Sequence, residues 1–256
     1  MEGQRRILDL CVDAGETLLA NGAEIYRVQQ TMEIIARSYG ARSFHVYVLT
    51  NGLFASMEDG GAVQSAAVRS TPRVEMNLGR ISAVNALSRE IVAGRVPLEE
   101  AFARLAQIRA TRGLPDWLMV SASAFSAACF CYLFGGRGAE CLASLAAGLL
   151  LYAFLCLAAR RISKIMSNLC GAALAAFFCV ACYACGFGET LGRMVVGAVI
   201  PLIPGVSFTN GIRDIADGDY LSGTIRLLDA LLVYVCIAIG VGLAFWLGQR
   251  IFGGVL

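Results

Sequence analysis

The chain has 256 residues, of which 57% are hydrophobic and 16% charged, with a formal net charge of +2. An ordinary soluble domain carries about 25% charged residues, so the deficit argues against a wholly soluble protein and for one that meets a lipid bilayer. The near-neutral balance, with no basic tract, leaves no electrostatic footprint for nucleic acid.

The charges are unevenly spread: residues 1–113 hold 25 and residues 114–256 hold 15. This divides the chain into an α+β domain over 1–113 and a membrane domain over 114–256. The opening MEGQRRILDL has no apolar core followed by a small-residue cleavage site, so no cleaved leader is expected. Residues 4–20 carry Ile7, Leu10, Cys11, Ala14 and Leu18 on one helical stripe, and Asn21-Gly22 ends that helix. A second helix is expected over 23–39, with Ile25, Val28, Met32, Ile35 and Tyr39 inward and Gly40 as its stop. The period then shortens. Ser43–Thr50 alternates, Asn51-Gly52 reads as a hairpin turn, and Leu53–Met57 returns. Glu58-Asp59-Gly60-Gly61 turns again into Val63–Ser70, giving a three-stranded antiparallel meander. Helices over 77–93 and 97–111 follow, the latter with Pro97 in its first turn.

Beyond Pro115, the stretches Trp117–Gly136, Cys141–Ala159, Ile165–Gly188, Met194–Ile212 and Ala230–Gln249 contain no charged residue. Each approaches the ~20 residues needed to cross hydrocarbon, so five transmembrane helices are expected, with Trp117 and Trp246 at the interface. Arg104, Arg109, Arg112, Arg160, Arg161, Lys164, Arg213 and Arg226 fall on one side, against Arg137, Arg193 and Arg250 on the other. The positive-inside rule then makes the N-terminal domain cytoplasmic and puts the C-terminus outside, in a plasma (inner) membrane.

The fourth span is interrupted. Pro201 and Pro204 each remove a donor and disturb the preceding turn, and Gly205 allows a change of direction. Thr209 or Asn210 is placed to cap a short helix after the break. Broken helices survive in a membrane where they line a cavity or pack inside protein, and transporters use them to present polar backbone to a substrate. Segment 201–222 is therefore read as re-entrant, or else as a cytoplasmic loop, carrying Arg213 and Asp214. Arg226 and Asp229, three residues apart at the start of the fifth span, can pair with each other, as can Glu189 and Arg193. In the polar domain Glu24 and Arg27 lie one helical turn apart, and Asn85, in a stripe with Ile81 and Ser88, is a candidate buried tie to that pair.

Other chemistry finds little support. Cys179, Cys182 and Cys185 in CVACYAC diverge around a helix and read as small packing residues, so no metal site is expected. His45 is the single histidine, on a strand, with no nucleophile elbow for an enzyme. Neither a Lys-Ser/Thr phosphate loop nor a dinucleotide fingerprint is present, so no cofactor is expected and transport would run on gradients.

NGAEIYRVQQTMEIIARSYG, NLGRISAVNALSREIVAG and LIPGVSFTNGIRDIADGDYLSGTIRLLDALL, in that order, resemble the threonine/serine exporter family. Its single-chain members have a cytoplasmic domain and about ten spans in two unlike halves, and this chain resembles the first half. The resemblance implies the larger subunit of the split form, a secondary transporter subunit and not an enzyme. A small polytopic membrane protein would supply the second half, with self-assembly as the other route. Single-chain members export threonine and serine, and split pairs are linked to succinate. The motif residues carried over are Gly22, Glu24, Arg27 and Asn85, with Pro204, Gly205, Asn210, Arg213 and Asp214. A membrane-tethered hydrolase or a regulatory subunit acting through the cytoplasmic domain is the alternative.

Overall fold

A computed structural model of the chain describes residues 2–59, 62–71, 76–158 and 161–253. Gly60 and Gly61 of the expected second turn, Ala159 at the end of the second span and Arg160 of the basic cluster lie outside the described residues. The chain is mostly helical, with one small antiparallel sheet. It divides into two compact units, Met1–Gly113 with Thr209–Arg226, and Leu114–Phe208 with Leu227–Leu256.

In the first unit, α1 (Glu2–Ala20) and α2 (Ile25–Ser38) precede strands β1 (Ser43–Leu49), β2 (Gly52–Asp59) and β3 (Ala62–Ser70), and α3 (Leu78–Val92) and α4 (Leu98–Ala110) follow. The expected stripe of α1 is buried, but so are Leu8 and Val12 on another side. The reason is position: α1 packs on α2, β2, β3, α3 and α4, so it is the central helix of the unit. Gly15 lets α1 and α2 approach, since a Cβ there would overlap the Met32 thioether. Burial pushes the Cys11 thiol up to about 12, which keeps it a protonated packing group.

The sheet order is β1-β2-β3. Pairs Phe44↔Met57, Val46↔Ala55 and Val48↔Leu53 set one face against the helices, as a period of two requires. The first hairpin turns one residue earlier than the Asn51-Gly52 pattern suggests: Leu49 pairs with Gly52, leaving Thr50-Asn51 as the loop. Gly52 is needed for close approach and not for a left-handed turn, because a Cβ would lie 2.8 Å from the Arg69 carbonyl on β3.

The second unit contains α5 (Asp116–Leu133), α6 (Gly138–Ala158), α7 (Lys164–Ala184) and α8 (Leu191–Val199), with most of α10 (Tyr220–Phe252). A 3-10 turn, Ile200–Leu202, extends α8, and α9 (Gly205–Ala216) follows it. Helices α5, α6, α7 and α10 are long and apolar enough to cross a membrane, and the pair Leu191–Leu202 and Gly205–Ala216, bent by 60°, makes a fifth candidate. Phe125, Leu142, Leu157, Leu232 and Val235 point outward, as lipid-facing residues would. The interior is built from small residues. A Cβ on Gly148 would lie 2.7 Å from Ala127 Cβ, and one on Gly240 would lie 2.4 Å from the Leu169 carbonyl. Membrane helices approach this closely where small side chains permit it. Cys179 is buried there, and among the described residues no cluster of metal-ligating side chains forms.

The break itself is shorter than expected. Only Ile203 and Pro204 separate the 3-10 turn from α9, so Thr209 and Asn210 lie in the second turn of α9 and not at its start. Proline suits a first helical turn, and Pro201 and Pro204 both sit at such starts. Gly205 has no left-handed φ, so the bend arises at Ile203–Pro204. At its other end α10 starts ten residues before the uncharged stretch, and at about 1.5 Å per residue its 33 residues exceed the hydrocarbon thickness.

Candidate functional site

Three short motifs deliver the charged residues. At the end of α1, Gly22 takes φ +87° and the Gly22 and Ala23 N–H groups donate back to the Leu19 and Leu18 carbonyls. This is the glycine-closed helix end that Asn-Gly predicts, and it leaves the Ala23 carbonyl and the first N–H groups of α2 facing out of the turn. Glu24 is the N-cap of α2, yet its side chain makes no capping bond. It is engaged elsewhere: Arg27 Nε donates to Glu24 Oε2 at 3.1 Å, and Arg213 Nη1 donates to Glu24 Oε1.

The second motif ends α9. Gly218 takes φ +90°, and the Gly218 and Asp219 N–H groups donate to the Ile215 and Asp214 carbonyls. Asp219 Oδ1 then accepts from the Ser222 N–H at 3.2 Å and caps α10. The two helices close tightly because Gly223 has no side chain; a Cβ there would lie 2.7 Å from the Gly211 carbonyl.

This hairpin sets Asp214 beside Arg226, with Nε and Oδ2 3.1 Å apart and both side chains almost fully buried. Arg226 Nη2 also donates to the Ala23 carbonyl at 2.9 Å, and the Ile25 N–H donates to the Asp214 carboxylate. Asp214 therefore does the anionic work at the N-terminus of α2 that Glu24 does not do, where the helix dipole favours negative charge. Glu24, Arg27, Arg213, Asp214 and Arg226 form one latch fastening residues 209–226 to the start of α2, all within the first unit. A buried pair of this kind contributes little net stability while intact, but losing one member strands the other charge.

Several sequence expectations resolve differently. Arg226 has Asp214 as its ion-pair partner, while Asp229 lies 3.6 Å from Lys164. Arg193 faces Glu140 at 4.0 Å. Asn85 does not tie to the Glu24–Arg27 pair; it is half-buried on α3, accepts the Ser88 hydroxyl with its own carbonyl, and lines a cleft that Arg27 also borders. Asn210 is 8% exposed. Sequence reasoning missed Glu140. Its carboxylate accepts from the Arg137 N–H at 2.8 Å and the Thr190 N–H at 2.7 Å, so it serves the starts of both α6 and α8. An acidic residue in the first turn after Gly-Arg-Gly was the available signal.

His45 is exposed on β1, with Ser43 Oγ 3.1 Å and Glu58 Oε1 4.0 Å away. Both neighbours approach the same ring nitrogen, whereas a nucleophile relay needs the acid and the hydroxyl on opposite nitrogens.

The family described as "Putative threonine/serine exporter" matches residues 9–248. The chain is 24% identical over 252 residues to the "Probable succinate transporter subunit YjjP" of Escherichia coli (strain K12), covering 96% of each chain. A protein of the same description from Klebsiella aerogenes is 24% identical over 250 residues, covering 94% of this chain and 93% of that one. The "Probable threonine/serine exporter" of Mycobacterium tuberculosis (strain ATCC 25618 / H37Rv) is 22% identical over 249 residues, 93% of this chain but 45% of that protein. No solved structure matches the chain.

Proposed function

The chain belongs to the threonine/serine exporter family, and on that premise we propose that it is one subunit of an inner-membrane secondary transporter exporting a small polar metabolite. The substrate is threonine or serine, or a dicarboxylate such as succinate. The N-terminal domain lies in the cytoplasm and the C-terminus outside, with the cytoplasmic domain over residues 1–113. A small polytopic membrane protein supplies the second half, since alternating access needs two bundles moving about a central site.

The observation that carries this reading is the broken helix. Backbone freed at Pro201 and Pro204 is followed within two turns by Asn210, a polar residue only 8% exposed. Pro201, Pro204, Gly205 and Asn210 form the polar lining, and Arg213, Asp214 and Arg226 hold the segment in place. Their carboxylate partners neutralise these arginines, so a substrate carboxylate reaches them only by competing with Glu24 or Asp214. Asp229, beside Lys164, marks the cytoplasmic entrance.

Flux of succinate and of threonine into liposomes, measured with this chain alone and with its small partner, tests the proposal. Expected is flux that requires both proteins and falls at least about tenfold in Asn210→Ala and Pro204→Ala, consistent with the loss of a charge-free hydrogen-bonding group or of the break. Flux by the pair unchanged in both variants overturns the proposed lining.

A further inference from the structure

The first unit holds an open cleft of about 450 Å³ between α2 and α3. The Asn77 N–H donates to the Asn21 carbonyl just before the two helices begin, and the Tyr39 hydroxyl donates to the Val96 carbonyl just after they end. Helices α2 and α3 therefore run side by side in the same direction. Arg27 lies near the start of α2 and Arg89 in the last turn of α3, which puts the two guanidinium groups toward opposite ends of the cleft. Gln30, Thr31 and Asn85 line the space between them, and among the described residues no carboxylate borders it.

Arg27 already shares Glu24 with Arg213, whereas the groups at the other end of the cleft are not consumed by the fold. Among the described residues the Arg89 guanidinium and the Asn85 amide make no hydrogen bond or ion pair, and Thr31 lines the same space. The volume suits a small metabolite, and each guanidinium offers a planar fork to a carboxylate.

We propose that this cleft is a binding site for a small aliphatic dicarboxylate, held end to end between Arg27 and Arg89, separate from the broken-helix path. Two cations at opposite ends favour a dianion over a ligand with a single carboxylate. Occupancy reaches the latch directly: Arg27 shares Glu24 with Arg213, so a ligand that draws Arg27 away leaves Glu24 to Arg213 alone. The inference does not rest on residues 201–210 lining a path.

The test is titration calorimetry of the full chain in detergent with succinate, beside L-threonine and sulfate. Succinate binds tighter than both, and Arg89→Gln weakens it about tenfold or more, as loss of one charge-assisted contact does, with the unliganded melting temperature unchanged because Arg89 is exposed. Arg27→Gln gives a comparable loss. The proposal fails if succinate does not bind, if Arg89→Gln keeps its Kd within about twofold of the parent, or if sulfate binds equally well. Asn210→Ala separates the two readings: it retains succinate binding in the cleft whatever it does to flux.

Discussion

Asp214 and Glu140 are both carboxylates buried to 3% exposure or less, one in each unit, and they are stabilised by opposite means. Asp214 has an equally buried guanidinium as its partner, with one backbone N–H. Glu140 has two backbone N–H groups at helix starts, and its nearest guanidinium stands 4.0 Å off and is 41% exposed. The difference sets how each fails. A charge balanced by another side chain is stranded by a single substitution, while backbone amides remain whatever the side chain becomes.

The largest effect is expected from Arg226→Ala, which leaves Asp214 buried and unpaired and should cost about 3–5 kcal/mol of stability. Thermal unfolding in detergent reads this directly. The double variant Asp214→Leu with Arg226→Met removes both charges and should recover most of the loss. A double variant as unstable as the single one would mean that the capping of α2, and not the stranded charge, dominates. Next comes Glu140→Ala, which orphans two N–H groups without stranding a charge and should cost about 1–3 kcal/mol. If Glu140→Ala proves worse than Arg226→Ala, the ranking by partner type is wrong. Within the latch, Glu24→Gln tests a half-buried junction: the carboxylate is 17% exposed, while the Arg27 and Arg213 side chains it holds are 59% and 50% exposed. Its stability cost should stay below about 1 kcal/mol, so a large drop in transport from this variant would assign Glu24 a role beyond holding the fold.

The same contrast decides what could be read from sequence. Local signals were legible: the Asn21-Gly22 stop, the period-two strands and four of the five uncharged runs match elements whose cause lies within a few residues. The latch was only half legible. Glu24 with Arg27 is visible as a helical spacing, but Arg213–Glu24 and Arg226–Asp214 join residues that chain topology alone brings together. Neighbour spacing therefore pointed Arg226 to Asp229 and gave no sign of the buried Asp214. Burial of α1 on a second side was hidden for the same reason, because a stripe of apolar residues records one contact face and not the number of elements around it. The cleft was hidden too, since Arg27 and Arg89 belong to different motifs that only parallel packing of α2 and α3 aligns.

The smallest expected effect lies at the break. Gly205 has open space where a Cβ would go and no left-handed φ, in contrast to Gly223 and Gly240, whose Cβ atoms would strike backbone. Gly205→Ala should therefore be tolerated, raising stability by up to about 1 kcal/mol through the better helix propensity of alanine in α9. Proline substitution at this position would confuse the issue; alanine changes only the freedom of the backbone. If Gly205→Ala melts at or above the parent temperature and transports normally, the bend at Ile203–Pro204 is a fixed shape, and a solute meets it as it stands. A variant equally stable but inactive would show that α9 must leave this geometry during the cycle, with Gly205 as the residue that lets it.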